Sequence, residues 1–254
     1  MKDFYTGKVA LVTGAATGMG HTTALEFAKA GAKVAVVDIV EDLGRQTAEQ
    51  IVAAGGEAIF LHTDVSNADS VKAMVDETVA RFGRLDCAFN NAGVIEDNLP
   101  LVDLPESAWD RTIGVNLKGV FLCMKYQIPV MQKQGKGAIV NTSSVCAERI
   151  LKNTAAYTAS KFGVIGLTRM AAVEYGGDGI RVNAILPGAV YTEMLKKAAA
   201  EDPWRLERVK ETRPLGKVAD PIVIANAALW LCSDLAEHIT GHGLPVDGGY
   251  VAAA

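Results

Sequence analysis

The chain predicts an α/β architecture: a doubly wound parallel sheet with helices on both faces and a short helical segment standing outside the alternation. Three observations carry that expectation. Short apolar runs alternate with longer segments of helical spacing across the 254 residues. The apolar runs are continuous rather than alternating, as in strands buried on both faces of a parallel sheet. Glycine is in excess, with 25 residues or about a tenth of the chain, where ordinary usage is roughly 7%.

In order, residues 9–12, 34–37, 58–61, 85–89, 138–140 and 180–185 read as strands, and residues 22–30, 43–53, 70–82, 115–131 and 159–174 as helices. Strand–helix alternation implies right-handed crossovers and parallel neighbours. Gly31, Gly55, Gly56, Gly176 and Gly177 stand where helices must stop and the chain turn toward the next strand. Residues 190–213, rich in Lys, Glu, Arg and Ala and containing Pro203 and Trp204, read as one or two short helices. Long excursions of this kind often cover a site, so a lid is expected. No linker, charge block or repeat divides the chain, and residues 1–254 are expected to form a single domain.

Composition narrows the function classes. Twenty-five basic and 29 acidic side chains leave a net charge of −4, which is no footprint for nucleic acid or another polyanion. An apolar fraction of 50% excludes a disordered chain. The N-terminus, Met1-Lys2-Asp3-Phe4-Tyr5, carries an acid and leads only to a short apolar run, so neither a signal peptide nor a spanning helix of about 20 apolar residues is expected. Cys87, Cys123, Cys146 and Cys232 lie far apart, without a C-x-x-C. They read as buried thiols of a reducing compartment, the cytoplasm.

The glycine cluster follows the first strand as Thr13-Gly14-Ala15-Ala16-Thr17-Gly18-Met19-Gly20 and opens a helix. Such a turn lets backbone approach a pyrophosphate, and the helix N-terminus offers free N–H groups and partial positive charge. The spacing is G-x-x-x-G-x-G rather than the commoner G-x-G-x-x-G. Asp38 ends the second strand twenty residues after Gly18. An acid there accepts hydrogen bonds from adenosine ribose hydroxyls and repels a 2′-phosphate; a helix cap or loop acid is the plainer alternative. The turn holds no Arg or Lys, and the nearest cations, Lys33 and Arg45, are not at the strand end. NAD(H) is therefore favoured over NADP(H).

Tyr157 and Lys161 stand four apart at the start of a helical segment and share one face. Alone they are an ordinary surface pair. A tyrosine exchanging protons near neutrality needs its value of about 10 lowered, and an ammonium or a cationic nicotinamide ring would do this. Company changes the reading. Thr13-Gly14-x-x-x-Gly18-x-Gly20, Asn90-Asn91-Ala92-Gly93, Asn116, Ser143-Ser144, Tyr157-x-x-x-Lys161 and Pro187-Gly188 resemble, in order and spacing, the motifs of the short-chain dehydrogenase/reductase family, from Gly7 to Gly249.

The resemblance implies a Rossmann-type fold, metal-free nicotinamide-dependent oxidoreduction, and a tetrad of Asn116, Ser144, Tyr157 and Lys161. Tyr157 would exchange the proton of the substrate oxygen. Lys161 would lower its pKa and hold the nicotinamide ribose. Ser144 would bond the substrate oxygen, and Asn116 would anchor a proton-relay water. Ser144 is preferred to Ser143 because the family places its serine second. For the cofactor, the resemblance implies Gly14, Thr17, Gly18, Met19 and Gly20 around the pyrophosphate and Asp64 with Val65 near the adenine. Asn91, Ala92 and Gly93 would lie along the ribose, and Pro187, Gly188, Val190 and Thr192 beside the nicotinamide.

One departure is Val145-Cys146-Ala147 after the serine, where the family often has small residues ending in glycine. Cys146 then reads as a pocket wall, and Asn153 joins it as a substrate-side residue. Val145, Ile150, Leu151, Val190, Met194, Leu195 and Trp204 complete a wall suited to an apolar or cyclic secondary alcohol. Arg149, Lys152, Lys196 and Lys197 leave room for an acidic substituent but read more simply as solvated charges. No G-x-S-x-G or S-x-x-K supports a hydrolase. His238 and His242, with Gly241 and Gly243 between and beside them, do not make a helical metal face, so no metal is expected.

The expected activity is thus NAD-dependent interconversion of a secondary alcohol and a ketone by hydride transfer. Reduction of a 3-oxoacyl thioester, sugar 1-dehydrogenation and hydroxysteroid dehydrogenation are family alternatives, and a non-catalytic NAD-binding regulator is a remote one. A homotetramer is expected, because the helical segments 115–131 and 159–174 carry apolar residues on more than one face.

Overall fold

The computed structural model describes residues 4–95, 99–202 and 204–253, without the side chains of residues 194, 197, 198, 201 and 205. Met1, Lys2, Asp3, Pro203 and the side chains of Met194 and Lys197, named above, lie outside the described residues.

Among the described residues seven strands form one sheet: β1 Val9–Thr13, β2 Lys33–Asp38, β3 Glu57–His62, β4 Cys87–Asn90, β5 Gly137–Thr142, β6 Ile180–Pro187 and β7 Gly243–Val246. Their order is β3-β2-β1-β4-β5-β6-β7, and every neighbouring pair is parallel. The helices are α1 Gly18–Lys29, α2 Glu41–Ala53, α3 Ala68–Phe82, α4 Glu106–Ile113, α5 Gly119–Gln134, α6 Ala155–Tyr175, α7 Glu193–Glu201, α8 Arg205–Glu211 and α9 Pro221–Cys232.

Each apolar run feeds two cores, because successive side chains leave a strand on opposite faces. Ala10, Val12, Val34, Val36, Phe89 and Val140 pack with residues of α1 and α9. Leu11, Ala35, Val37, Ala88 and Ile139 pack with residues of α3, α5 and α6. Burying a side chain the size of Val, Leu or Phe contributes roughly 1.5–3 kcal/mol. Two such layers explain why these strands need no polar face.

The strands and helices expected from the sequence are present, with three differences. Strand β4 begins at Cys87 rather than Leu85, whose N–H instead bonds Gln134 Oε1 at 2.9 Å. The helix expected at 115–131 divides: residues Gly114–Lys118 form a π turn between α4 and α5. And α4 had no sequence expectation, nor had α9. Its residues are apolar nearly all round, so they give no 3.6-residue period. Pro221 at its first turn and the Asp220 side chain, accepting from the Ile222 N–H at 2.9 Å, define its start.

The excursion after β6 contains α7 and α8. Its base is closed by a parallel bridge between Val190 and Ala219, with Tyr191 N–H donating to the Ala219 carbonyl at 2.8 Å and Ala219 N–H to Ala189 at 3.0 Å. Strand order reverses direction between β1 and β4. In open α/β sheets the carboxyl ends of the strands at such a reversal leave a crevice for a ligand.

Candidate active site

The crevice is stitched from main chain. Thr13 Oγ1 accepts from the N–H groups of Asn91 and Ala92 at 2.9 and 3.0 Å, and Asn91 Nδ2 donates to the Thr13 carbonyl at 3.1 Å. Gly14 has φ +65°, and a Cβ there would lie 2.9 Å from Ala92 Cα. A Cβ on Gly20 would lie 2.0 Å from the Gly14 carbonyl oxygen. The turn therefore tolerates no side chain at either place. Helix α1 starts with no acid in its first turn and no side-chain cap from Thr17, so its N–H groups remain available to an anion.

A cleft of about 580 Å³ opens there, lined among others by Gly14, Thr17, Gly18, Met19, Asp38, Asp64, Val65, Asn91, Ala92, Gly93 and Thr192. Of the cofactor residues named from the sequence, the structure brings these together. Pro187 ends β6 and Gly188 follows it beside Asp247. Val190 is buried in the core with Ala219, leaving only its backbone for a ligand. The glycine cradle and the volume of the cleft fit a dinucleotide.

Asp38 serves two purposes. It faces the cleft, while Oδ2 accepts from Ala16 N–H at 2.8 Å and Oδ1 from Val40 N–H at 2.9 Å. It holds its own loop in this way but caps no helix, since Val40 is the N-cap of α2, which has no side-chain cap. Arg45 is paired with Glu41 at 2.6 Å and Lys33 with Glu57 at 3.0 Å. Asp64 likewise holds its own loop, with Oδ1 accepting from the Ser66 N–H and hydroxyl at 2.9 and 2.7 Å. The sequence reading missed Arg111, which reaches the cleft wall from α4. No local pattern marks it.

At the far end, β5 delivers Thr142, Ser143 and Ser144. Ser143 donates to the Lys161 main-chain carbonyl at 2.8 Å. Ser144 accepts from Cys146 N–H at 3.1 Å and hydrogen-bonds the Tyr157 hydroxyl. The two serines are thereby told apart by geometry. On α6, Lys161 is buried; its Nζ donates to the Thr142 carbonyl at 2.8 Å and lies 5.4 Å from the Tyr157 ring centroid. A Cβ on Gly93 would lie 3.6 Å from that Nζ and 3.3 Å from Asn116 Oδ1, so Gly93 joins the cleft wall to these side chains, which do not themselves line it.

Burial rules the electrostatics. It pushes the Tyr157 hydroxyl up to about 12, against the Ser144 hydrogen bond that lowers it. It pulls the Lys161 ammonium down to about 8. Burial is thus the largest influence on Tyr157, and it opposes the lowering that the family role assigns to Lys161. The Cys146 thiol is also raised by burial, against Ser144 and Lys161, which disfavours the thiolate.

Asn116 sits fully buried in the π turn. Its Oδ1 accepts from Val94 N–H and its Nδ2 donates to the Val94 carbonyl, both at 2.8 Å. These two bonds fix the chain after Gly93 at Val94. Of the substrate wall, Ile150, Leu151 and Trp204 are exposed, and Val145 and Cys146 are buried. Asn153 turns through φ +62° at the exposed loop before α6. Arg149 is not a simple solvated charge, since it packs on Tyr250; Lys196 is exposed and pairs on the surface with Glu193 at 2.6 Å. Among the described residues no group of three His, Cys, Asp or Glu is placed to hold a metal ion.

A dinucleotide crevice that closes on a Ser–Tyr hydrogen bond and a buried lysine defines a nicotinamide-dependent oxidoreductase of CH–OH groups. Comparison with known proteins agrees. A family model described as enoyl-(acyl carrier protein) reductase matches residues 14–251. The 2,5-dichloro-2,5-cyclohexadiene-1,4-diol dehydrogenase of Sphingobium indicum is 42% identical over 247 residues, covering 97% of this chain and 98% of that protein. The cis-4-hydroxycyclohexanecarboxylate dehydrogenase of Sinomonas cyclohexanicum is 41% identical over 256 residues, covering 99% and 100%. A crystal structure of levodione reductase superposes with a TM-score of 0.95 at 36% identity, covering 98% of this chain and all of that one. The chain belongs to the short-chain dehydrogenase/reductase family.

Proposed function

We propose that the protein is an NAD-dependent dehydrogenase and ketone reductase of cyclic secondary alcohols, with Tyr157 as general acid and base. The observation that carries this reading is the Ser144–Tyr157 hydrogen bond set beside the buried Lys161 where the cleft ends. When bound, the nicotinamide supplies the acceptor or donor of the hydride at the alcohol carbon. Tyr157 takes the hydroxyl proton during oxidation and returns it to the carbonyl oxygen during reduction. Ser144 orients that oxygen and shares the Tyr157 proton. Lys161 lies between Tyr157 and the ribose position, and Asn116 acts as a positioning residue through Val94.

Around the cofactor, Gly14, Thr17, Gly18, Met19 and Gly20 take the pyrophosphate, Asp38 the ribose and Asp64 with Val65 the adenine. Asn91, Ala92 and Gly93 lie along the dinucleotide, with Pro187, Gly188, Val190 and Thr192 at the nicotinamide. Preference for NAD over NADP is supported by Asp38 on the cleft wall and by the pairing of Lys33 and Arg45 with acids. A cyclic substrate is supported by the named substrates of the relatives and by the apolar Ile150, Leu151 and Trp204. Cys146 and Asn153 flank it, and α7 with α8 forms a lid on the single domain. A homotetramer is supported by Phe121, Phe162, Met170 and Val173, exposed on α5 and α6; a monomeric mass in light scattering would count against it. Cytoplasmic residence is supported by four free, buried thiols.

A panel of cyclic secondary alcohols, followed by NADH absorbance, tests the reading. Turnover is expected with NAD, and Tyr157→Phe should abolish it while NADH still binds. Undiminished turnover in that variant overturns the assignment.

A further inference from the structure

Two elements carry the reacting side chains: Ser144 stands just beyond β5, and Tyr157 and Lys161 stand on α6. Ile139 of β5 shares one apolar core with Val164, Ala171 and Ala172 of α6. Apolar packing has no direction, so it does not by itself fix where a helix rests along a strand. Directional bonds do, and two of them cross this contact. Ser143 is buried, and its Oγ donates to the Lys161 main-chain carbonyl at 2.8 Å. Asn141, two residues earlier and on the same face, is also buried, and its Nδ2 donates to Thr168 Oγ1 at 3.0 Å.

Both tethers are backed by neighbouring elements. Ser143 N–H donates to the Ile185 carbonyl of β6 at 2.8 Å. Asn141 Oδ1 accepts from Asn90 Nδ2 of β4 at 3.0 Å, and Asn90 exchanges two amide bonds with Gln127 of α5 at 3.1 and 2.9 Å. Asn90, Gln127, Asn141 and Thr168 are all buried. The Ser143 bond lies one residue from Ser144 and one helical turn from Tyr157. The Lys161 carbonyl keeps its ordinary helical partner without Ser143, so α6 does not need this bond to form. What the bond adds is position. A hydroxyl pair bonds only at about 2.5–3.0 Å, and neither the short Ser144 nor the rigid Tyr157 can follow a slide of the helix. The flexible stem of Lys161 can, and its Nζ keeps the Thr142 carbonyl, 2.8 Å away, as acceptor.

We propose that Ser143 and the Asn141–Thr168 pair are positioning residues for the reaction, holding α6 on β5 at the register where Tyr157 meets Ser144. This rests on the catalytic reading of Tyr157, and the test separates the two. Ser143→Ala should lower kcat about tenfold, with NADH affinity unchanged and Tm lower by only about 2–4 °C. The loss is moderate because Asn116 also holds this turn of α6, its Nδ2 donating to Ser160 Oγ at 3.3 Å. Made in the Ser144→Ala background, the same change should cost less than about twofold, since the bond it aligns is already gone. A loss of equal size in both backgrounds, or an unchanged kcat, overturns the proposal.

A readout without turnover is the ring Cζ NMR resonance of Tyr157, in protein labelled at its tyrosines and assigned with Tyr157→Phe. Ser143→Ala should move it toward its position in Ser144→Ala. Gly166→Ala, also on α6 but with open space at its Cβ, should leave it in place. A resonance unmoved by Ser143→Ala, or moved equally by Gly166→Ala, overturns the register role; if Tyr157→Phe is then inactive, the catalytic reading stands. A resonance moved by Ser143→Ala alone, with undiminished turnover in Tyr157→Phe, keeps the register and overturns the catalytic reading. Should Ser143→Ala fail to fold by circular dichroism, Thr168→Val removes the acceptor of Asn141 and Thr168→Ser retains it. The valine variant should lose kcat and move the resonance while the serine variant does neither. Equal behaviour of the two overturns the proposal.

Discussion

The two halves of the crevice are built from different materials. The half at the ends of β1 and β4 is made of backbone: glycines at 14 and 20 leave no room for a side chain, and Thr13, Asn91 and Asp38 spend their polar atoms on main-chain groups. The half at the ends of β5 and β6 is made of side chains. Ser144 and Lys161 there are buried, while Ile150 and Trp204 on the surrounding loops are 63% and 71% exposed. The contrast teaches how one scaffold serves many reactions. A ligand common to all of them can be gripped by backbone that substitution cannot easily alter, and the variable ligand is left to replaceable side chains.

The sharpest way to break that comparison is at Ser144. Ser144→Ala should lower kcat by about 10²–10³, the usual effect of deleting one donor to a reacting oxygen. The pH profile of alcohol oxidation should also move upward, because the Ser144 hydrogen bond is what opposes the burial of Tyr157. A profile that does not move separates Ser144 from Tyr157. On the backbone side, Gly20→Ala forces a Cβ against the Gly14 carbonyl and should destabilise the protein by about 1–3 kcal/mol, with loss of NADH binding. Thermal melts and fluorescence titration read both, and retained binding would show that the turn can give way.

Asp38→Ala leaves the Ala16 and Val40 N–H groups without their acceptor, at a cost of about 1–3 kcal/mol, and should weaken the preference for NAD over NADP. An unchanged ratio of the two kcat/KM values rejects the cofactor assignment. Lys161 titrates near 8 in the fold against 10.5 in the unfolded chain. Below pH 8 both states are charged and its burial is most unfavourable; between 8 and 10.5 the unfolded state binds more protons, so stability rises with pH. Lys161→Met should therefore raise Tm at pH 7, and the gain should shrink as pH approaches 10.5. A pH-independent difference contradicts that. The smallest effect is expected at Gly166 in α6, where a Cβ meets nothing within 4 Å. Gly166→Ala should stabilise by about 0.5–1 kcal/mol and leave kinetics alone.

Legibility follows the same division. The strands and the glycine turn could be read because continuous apolar runs and tight turns leave local marks in composition. Helix α9 could not, since a helix apolar on every side has no period, and the division between α4 and α5 depends on a π turn that no pattern announces. The grouping of Ser144, Tyr157 and Lys161 was legible through family spacing. The state of Tyr157 was not, because its acidity is decided by burial rather than by the lysine one turn away. Arg149 and Tyr250 lie 101 residues apart, and nothing in either neighbourhood points to the other.

The double duty of Asp38 bears on how such a chain can change its diet of cofactors over evolutionary time. The same two carboxylate oxygens that face the cleft also hold the glycine turn to the end of β2. A mutation that opened the site to a different dinucleotide would loosen the turn that binds any dinucleotide at all. Only residues that still accept from both N–H groups, or second changes that restore the turn beforehand, offer a passable route, so the architecture itself restrains change at this position.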